Sequence, residues 1–344
     1  MNLEQSTILE NVRELLPPGF YKDPAEIRIT KLHGDASNRI YFRIQSAGQQ
    51  LILMQRPMVG RESPSEEITK QKEKPKEYAF INIHRFLKAQ QFPVPEIIAV
   101  SPNEEFLLLE DLGEITFEKA VLAAKPARTN LYERAIKLLK VWQNLKNDHC
   151  VAFEREFDPD LFDWEFEHFI EWGIEKSQNL IIPTAERTEL TKIFHDISLQ
   201  IIPMAQTLTH RDYQSRNIMI AKNNLVVLDF QDALRGPYIY DLVALLRDSY
   251  IELEEQELNH LVNFYADESG RERNAVLNDF NLQTIQRKLK DGGRFHYINL
   301  FKGNPGFLPY VSASFRYAHR ALKQRLEGRF VIPILAKYLP EFSK

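Results

Sequence analysis

The 344-residue chain carries a single cysteine, Cys150, so no internal disulfide can form, and the thiol content suits a reducing cytoplasm. Nothing beside Cys150 in the sequence would activate it, and a buried, inert thiol is expected. No apolar run approaches the roughly 18 to 20 residues of a membrane span. The start, Met1-Asn2-Leu3-Glu4-Gln5, lacks the basic-then-apolar pattern of a secretory leader. There is no basic excess: 44 Lys and Arg stand against 48 Asp and Glu, a formal net charge of −4. Nothing in that balance argues for nucleic acid or an anionic membrane as partner. His33, His84, His168, His195, His260 and His319 are scattered without metal-ligand spacing. Neither a repeat nor a low-complexity tail is present. What remains is the composition of a soluble globular chain, 44% hydrophobic, ample for one large domain or two lobes.

The informative stretch is His210-Arg211-Asp212-Tyr213-Gln214-Ser215-Arg216-Asn217, followed by Leu228-Asp229-Phe230-Gln231-Asp232. Between them lie Ile218-Met219-Ile220-Ala221, Lys222-Asn223-Asn224 and Leu225-Val226-Val227. Two short apolar runs around an Asn-rich turn read as a β-hairpin. A hairpin returns the chain on itself, so Asn217 at its start and Asp229 at its end are expected to face one another. One Mg²⁺ ion can sit between their oxygens, because Mg²⁺ takes few protein ligands and completes its shell with phosphate oxygens. Asp212, a few residues upstream, is left to orient and deprotonate an acceptor hydroxyl. A His-x-Asp pair alone reads equally well as a cap or surface pair. The joint pattern, with an Asn five residues after the Asp and a Val-Val-Leu-Asp-Phe strand end, points to phosphoryl transfer from ATP.

These residues resemble the catalytic loop of the aminoglycoside phosphotransferase and choline kinase superfamily, relatives of eukaryotic protein kinases. The resemblance implies an α+β, bilobal protein-kinase-like fold. A small antiparallel β-rich N-lobe would cover residues 1–111 and bind nucleotide. A larger helical C-lobe, 112–344, would hold the catalytic loop, metal site and acceptor pocket. It further implies Asp212 as base, Asn217 and Asp229 as Mg²⁺ ligands, and His210 as a brace for the loop. In Gly236-Pro237-Tyr238-Ile239-Tyr240-Asp241-Leu242, which is similar to the family's following segment, Asp241 would open a helix and tie the loop down. Three further stretches are similar to one subgroup: Gly34-Asp35-Ala36-Ser37-Asn38-Arg39-Ile40-Tyr41-Phe42-Arg43, Phe106-Leu107-Leu108-Leu109-Glu110-Asp111-Leu112-Gly113 and Asp229-Phe230-Gln231-Asp232-Ala233. That subgroup includes the bacterial kinases that phosphorylate N-acetylmuramate and N-acetylglucosamine at the anomeric hydroxyl in cell-wall recycling.

On the nucleotide side, Asn11 to Leu16 falls in a short helical lead that stops at Pro17-Pro18-Gly19. Three strand-like runs then follow between Ile27 and Leu53. Gly34, Asp35, Ala36, Ser37 and Asn38 occupy the first turn, where backbone N–H groups can point at phosphate oxygens. The charged stretch Arg61 to Lys76, with Pro64 and Pro75, reads as an exposed connection. After it, Tyr78, Ile81, Phe86 and Leu87 mark a helical face, and Glu77 at its start is the candidate partner for a phosphate-binding cation. Glu77 also suits plain helix-dipole stabilisation. The family commonly places a Lys in the third strand, whereas this chain has Leu53-Met54-Gln55-Arg56-Pro57; Arg56, a Lys from the 70–76 segment, or backbone contacts alone could take its place. Glu110 and Leu112 mark the hinge whose backbone would meet adenine.

The acceptor side is less defined. Phe162-Asp163-Trp164-Glu165-Phe166-Glu167-His168-Phe169-Ile170-Glu171-Trp172 mixes aromatics and acids on an expected helix, and either lines a sugar pocket or turns its aromatics inward. Arg294 and His296 precede a rigid loop, Gly303 to Pro309, that could close over the site. The expected reaction is ATP- and Mg²⁺-dependent transfer to a small-molecule hydroxyl in a monomeric enzyme, with an N-acetylated amino sugar as first choice. The alternatives are an aminoglycoside, a choline-like alcohol held in an aromatic cage, or a regulatory pseudokinase that binds nucleotide. No Ala-Pro-Glu segment follows Asp229, which argues against a protein substrate.

Overall fold

A computed structural model describes residues 3–32, 39–56, 77–125, 127–146 and 149–343. The chain divides into two units that interleave along the sequence. The first takes Met1–Glu67, Pro93–Ile115 and Met219–Leu228; the second takes Ile68–Phe92, Thr116–Ile218 and Asp229–Lys344.

The first unit is built on five antiparallel strands. They are β1 (Arg28–Leu32), β2 (Ile40–Ser46), β3 (Gln49–Gln55), β4 (Ile97–Val100) and β5 (Phe106–Glu110), in the order β1-β2-β3-β5-β4. Period-two alternation sets the register: Phe42 and Ile44 of β2 turn inward, and Phe42 sits opposite the buried Leu53 of β3. The β2–β3 turn uses Ala47 and Gly48, both at positive φ, the two-residue geometry whose twist suits antiparallel strands. Ile8, Leu9 and Val12 of α1 (Leu3–Val12), with Leu16 and Phe20, close the core over Ile29, Ile44 and Leu108. The expected hairpin is present. Strands β7 (Ile218–Ala221) and β8 (Asn224–Val227) pair through Lys222 and Asn223, again both at positive φ. Ile220 N donates to Ile115 O at 2.8 Å and Val227 N to Pro93 O at 2.9 Å, which stitches the hairpin into this unit.

The second unit is mainly helical. It holds α2 (Ala79–Ala89), α3 (Phe117–Ala123), α4 (Arg128–Gln143), α5 (Pro159–His168), a π-helix (Phe169–Lys176) and α6 (Thr184–Ile201). It continues with α7 (Tyr240–Leu246), α8 (Glu255–Ser269), α9 (Arg273–Lys302), α10 (Val311–Lys323) and α11 (Gly328–Leu335). The stripe Ile136, Leu139 and Trp142 on α4 is fully buried. Two glycines let α9 approach its neighbours closely. A Cβ at Gly293 would fall 2.7 Å from Phe169 Cα of the π-helix, and one at Gly292 would fall 2.1 Å from the Phe315 ring of α10. Each glycine costs the helix roughly 1 kcal/mol in propensity, which the close packing offsets. Buried Cys150 precedes a 3₁₀ turn at Val151–Phe153; Asn82 of α2 accepts from Val151 N at 3.0 Å, and Phe86 meets Phe153 edge to face. Burial pushes the Cys150 thiol up to about 11. Among the described residues no helix is long and apolar enough to cross a membrane.

Candidate active site

A short antiparallel pair carries the site. Strand β6 (Gln206–Thr209) runs straight into His210, and β9 (Leu234–Pro237) follows the segment from Asp229 to Asp232. Thr209 Oγ1 donates to Leu234 O at 2.8 Å, so the loop entrance is tied to the return strand. The loop then makes a tight bend, with Arg211 at φ +74°, an unusual conformation for a residue with a Cβ. Buried Asp241, at the start of α7, supports it by accepting from His210 N at 2.6 Å and Arg211 N at 3.0 Å. Arg287 of α9 donates through one nitrogen to Arg211 O and through another to Asp212 Oδ1 at 3.1 Å. His210 is fully buried; its Nδ1 accepts from Asp212 N at 3.3 Å and its ring tilts against Trp142 at 5.3 Å.

The Asp212 carboxylate sits on this braced loop with 38% of its side chain exposed. Burial alone would raise its pKa, but Lys290, Arg287 and Arg211 outweigh that and hold it below the ordinary carboxylate value. It is therefore ionised at neutral pH and available as a proton acceptor. Asn217 Nδ2 donates to Asp212 O at 2.9 Å, which commits the amide nitrogen as donor and leaves Oδ1 as an acceptor. Asp248 fixes the loop's far end by accepting from Ser215 N at 2.9 Å. Arg216 pairs with Glu118 at 3.0 Å, receives the Tyr250 ring beneath its guanidinium at 3.6 Å, and donates to Tyr310 OH at 2.9 Å.

Asp229 closes the hairpin in the left-handed region, φ +62° and ψ +37°, which Asp tolerates better than most side chains. Phe230 beside it stacks on Phe80 of α2 at 4.8 Å, so α2 is anchored at the residue next to the carboxylate. Asp229 offers a carboxylate and Asn217 an amide oxygen, donor types that Mg²⁺ would accept with phosphate oxygens completing its shell. Among the described residues no group of three or more His, Cys, Asp or Glu could hold a metal on protein ligands alone.

The other sequence-derived candidates fall as follows. Gly34, Asp35, Ala36, Ser37 and Asn38 lie outside the described residues, as does the 61–76 stretch. Glu77, two residues ahead of α2, is taken by Arg85 of that helix, through a short contact and a second at 3.1 Å. Arg56 pairs with Glu104 at 3.4 Å. Glu110 accepts from Glu96 N at 3.2 Å, and Leu112 makes no hydrogen bond among the described residues. Sequence reasoning missed two features. Arg43 clamps the stretch after β5, donating to Asp111 at 2.6 and 3.1 Å and to Gly113 O at 3.1 Å. It also missed Arg287, Lys288, Lys290 and Asp291, although charge recurring inside the apolar frame of Ile285, Leu289 and Phe295 was a readable sign.

The profile of the phosphotransferase enzyme family matches residues 28–276, most of the chain, including the loop from His210 to Asn217, Asp229 and Asp241 but not Arg287 or the charged residues after it. The chain belongs to this family. The phosphotransferase is 28% identical over 336 residues to an N-acetylmuramate/N-acetylglucosamine kinase of Pseudomonas putida, covering 95% of this chain and 94% of that one. Its fold is shared with the choline kinase LicA from Streptococcus pneumoniae (TM-score 0.63, 13% identity, 94% and 100% of the two chains). It is shared also with an ADP-bound aminoglycoside phosphotransferase (TM-score 0.58, 16% identity, 91% and 97%). The phosphotransferase thus has the α+β protein-kinase-like fold, with a five-stranded antiparallel sheet and a helical majority.

Proposed function

We propose that this phosphotransferase moves the γ-phosphoryl group of ATP, with Mg²⁺, to the anomeric hydroxyl of an N-acetylated amino sugar. The observation that carries the reading is the ionised Asp212, held on a loop fixed by Asp241 and Arg287 and followed five residues later by Asn217. The relatives' activity on N-acetylmuramate and N-acetylglucosamine supports the choice of sugar. So does the charge around the base: Arg211, Arg287 and Lys290 act on Asp212, and such surroundings repel the ammonium groups of choline or an aminoglycoside.

In this reading Asp212 orients the acceptor hydroxyl and takes its proton as the new O–P bond forms, and His210 keeps the loop in register. Asn217 and Asp229 hold the metal, which neutralises charge on the phosphates when bound. Gly34 to Asn38, Arg56, Glu77, Glu110 and Leu112 serve the nucleotide, with residues 1–111 as nucleotide lobe and 112–344 as catalytic and acceptor lobe. Cytoplasmic residence belongs to the same proposal. Positioning and electrostatics carry most of the acceleration.

The test is ADP release with Mg-ATP against N-acetylmuramate, N-acetylglucosamine, other sugars, aminoglycosides and choline, with phosphate position checked by NMR. Turnover of an N-acetylated sugar is expected, falling about 10²- to 10⁴-fold in Asp212→Ala, the range of a lost general base. Near-wild-type turnover in that variant would sink the mechanism.

A further inference from the structure

The charged residues Arg287, Lys290, Asp291 and Arg294 recur at three- and four-residue spacing along α9, which places them on one face of the helix. At one end of that face Arg287 holds Asp212. Asp291 is already engaged by Lys288 at 2.6 Å. Lys290 reaches Asp291 only at 3.8 Å, beyond hydrogen-bond distance. Arg294 makes neither a salt bridge nor a hydrogen bond among the described residues; Asp212 and Glu165 act on it only through space, and its guanidinium lies over the Tyr297 ring at 4.8 Å.

The surroundings of Arg294 are aromatic. His168 packs against Trp164 at 5.2 Å, Trp172 at 6.2 Å and Tyr297 at 5.2 Å, and Trp172 meets Tyr297 edge to face at 5.0 Å. Burial, reinforced by Arg294 and Lys290, lowers His168 to about 3, so the imidazole is neutral and the positive charge of the cluster rests on the two long side chains. The Gly293 contact with Phe169 locks this part of α9 against the π-helix and so fixes where Arg294 emerges. A half-buried guanidinium with five donors and no acceptor is costly, and a carboxylate matches its planar fork.

We propose that Arg294, assisted by Lys290, is the subsite for a carboxylate on the acceptor, about 10 Å along α9 from the Arg287–Asp212 pair and walled by Trp172 and Tyr297. The inference deepens, and rests on, the amino-sugar reading: N-acetylmuramate bears a carboxylate and N-acetylglucosamine does not. The aromatic wall favours a sugar ring with an acidic substituent over the triphosphate of ATP, which has no apolar face to stack.

The experiment measures kcat/KM of the full chain for acceptor pairs that differ by a carboxylate: N-acetylmuramate against N-acetylglucosamine, and glucuronate against glucose. Wild type, Arg294→Gln, Arg294→Lys and Lys290→Gln are compared. The expected result is that wild type prefers the acidic member and Arg294→Gln reduces that preference about 10- to 100-fold, as loss of a charge-assisted pair does. Arg294→Lys recovers part of it. An equal fall for both members, an unchanged preference, or a change confined to the KM for ATP overturns the subsite. Should neither N-acetylated sugar turn over while glucuronate is preferred to glucose through Arg294, the subsite stands and the amino-sugar reading fails. Absence of turnover with every pair overturns both.

Discussion

Two non-glycine residues in left-handed conformation bracket the catalytic stretch, Arg211 and Asp229. Each costs on the order of 1 kcal/mol or more and persists only where its neighbours over-determine it. For Arg211 that support comes largely from Asp241, whose carboxyl burial pushes up to about 6, with His210 and the loop N–H donors only partly offsetting. Unfolded, the same carboxyl titrates near its ordinary value of about 4. Between roughly pH 4 and 6 the folded chain thus keeps a proton that the unfolded chain has shed, so this residue's contribution to stability declines as pH rises through that window. Activity should run the other way. The ionised carboxylate is the better acceptor for the His210 and Arg211 N–H groups, so kcat should fall on acidification with a midpoint near pH 6. Asp212 does not set that limb, because its pKa is lowered. In Asp241→Asn one of the two backbone donors loses its acceptor; the plateau of kcat should drop about tenfold or more and the limb near pH 6 should vanish. An unchanged midpoint in that variant, read from kcat between pH 5 and 8, would assign the limb to another group.

Among elements, the contact of α9 with the π-helix has the largest leverage on the acceptor side. Gly293→Ala inserts a methyl 2.7 Å from a backbone carbon, which neither helix can yield by turning a side chain. Overpacking of this kind costs about 1–3 kcal/mol. A thermal melt should show a lower midpoint, together with a weaker preference for acidic acceptors as Arg294 is displaced; an unshifted melt would mean that the helices slide freely. None of this was legible beforehand. The hairpin at 218–227 was readable, because its turn and alternation are local, as were the three opening strands and the buried stripe on α4. The π-helix leaves no periodic mark of its own, and Arg287 meets Asp212 across 75 residues, a separation that no window of sequence spans. Glu77 shows the opposite case: its place close to the start of α2, two residues before Ala79, was readable, but its engagement by Arg85 eight residues on was not.

At the scale of the whole molecule, a net charge of −4 conceals how charge is arranged. Acidic side chains outnumber basic ones overall, yet the field at Asp212 is set by Lys290, Arg287 and Arg211. A chain-wide average therefore has no bearing on the acceptor, which is recognised over a few ångströms. Another whole-chain property comes from the one thiol. Cys150 is 1% exposed and its thiol is pushed up to about 11, so in the closed structure it is screened from water-borne reagents and held in the unreactive protonated form. Its shelter is the join between α2 and the turn at Val151–Phe153. The protein thereby carries its own clock: each alkylation by a maleimide records one excursion in which that join has parted, with no second cysteine to blur the count. Mass spectrometry over hours should show a single, slow, first-order labelling phase that steepens with sub-denaturing urea and is much faster in Phe86→Ala. Prompt labelling in buffer would reveal a join that is open for much of the time.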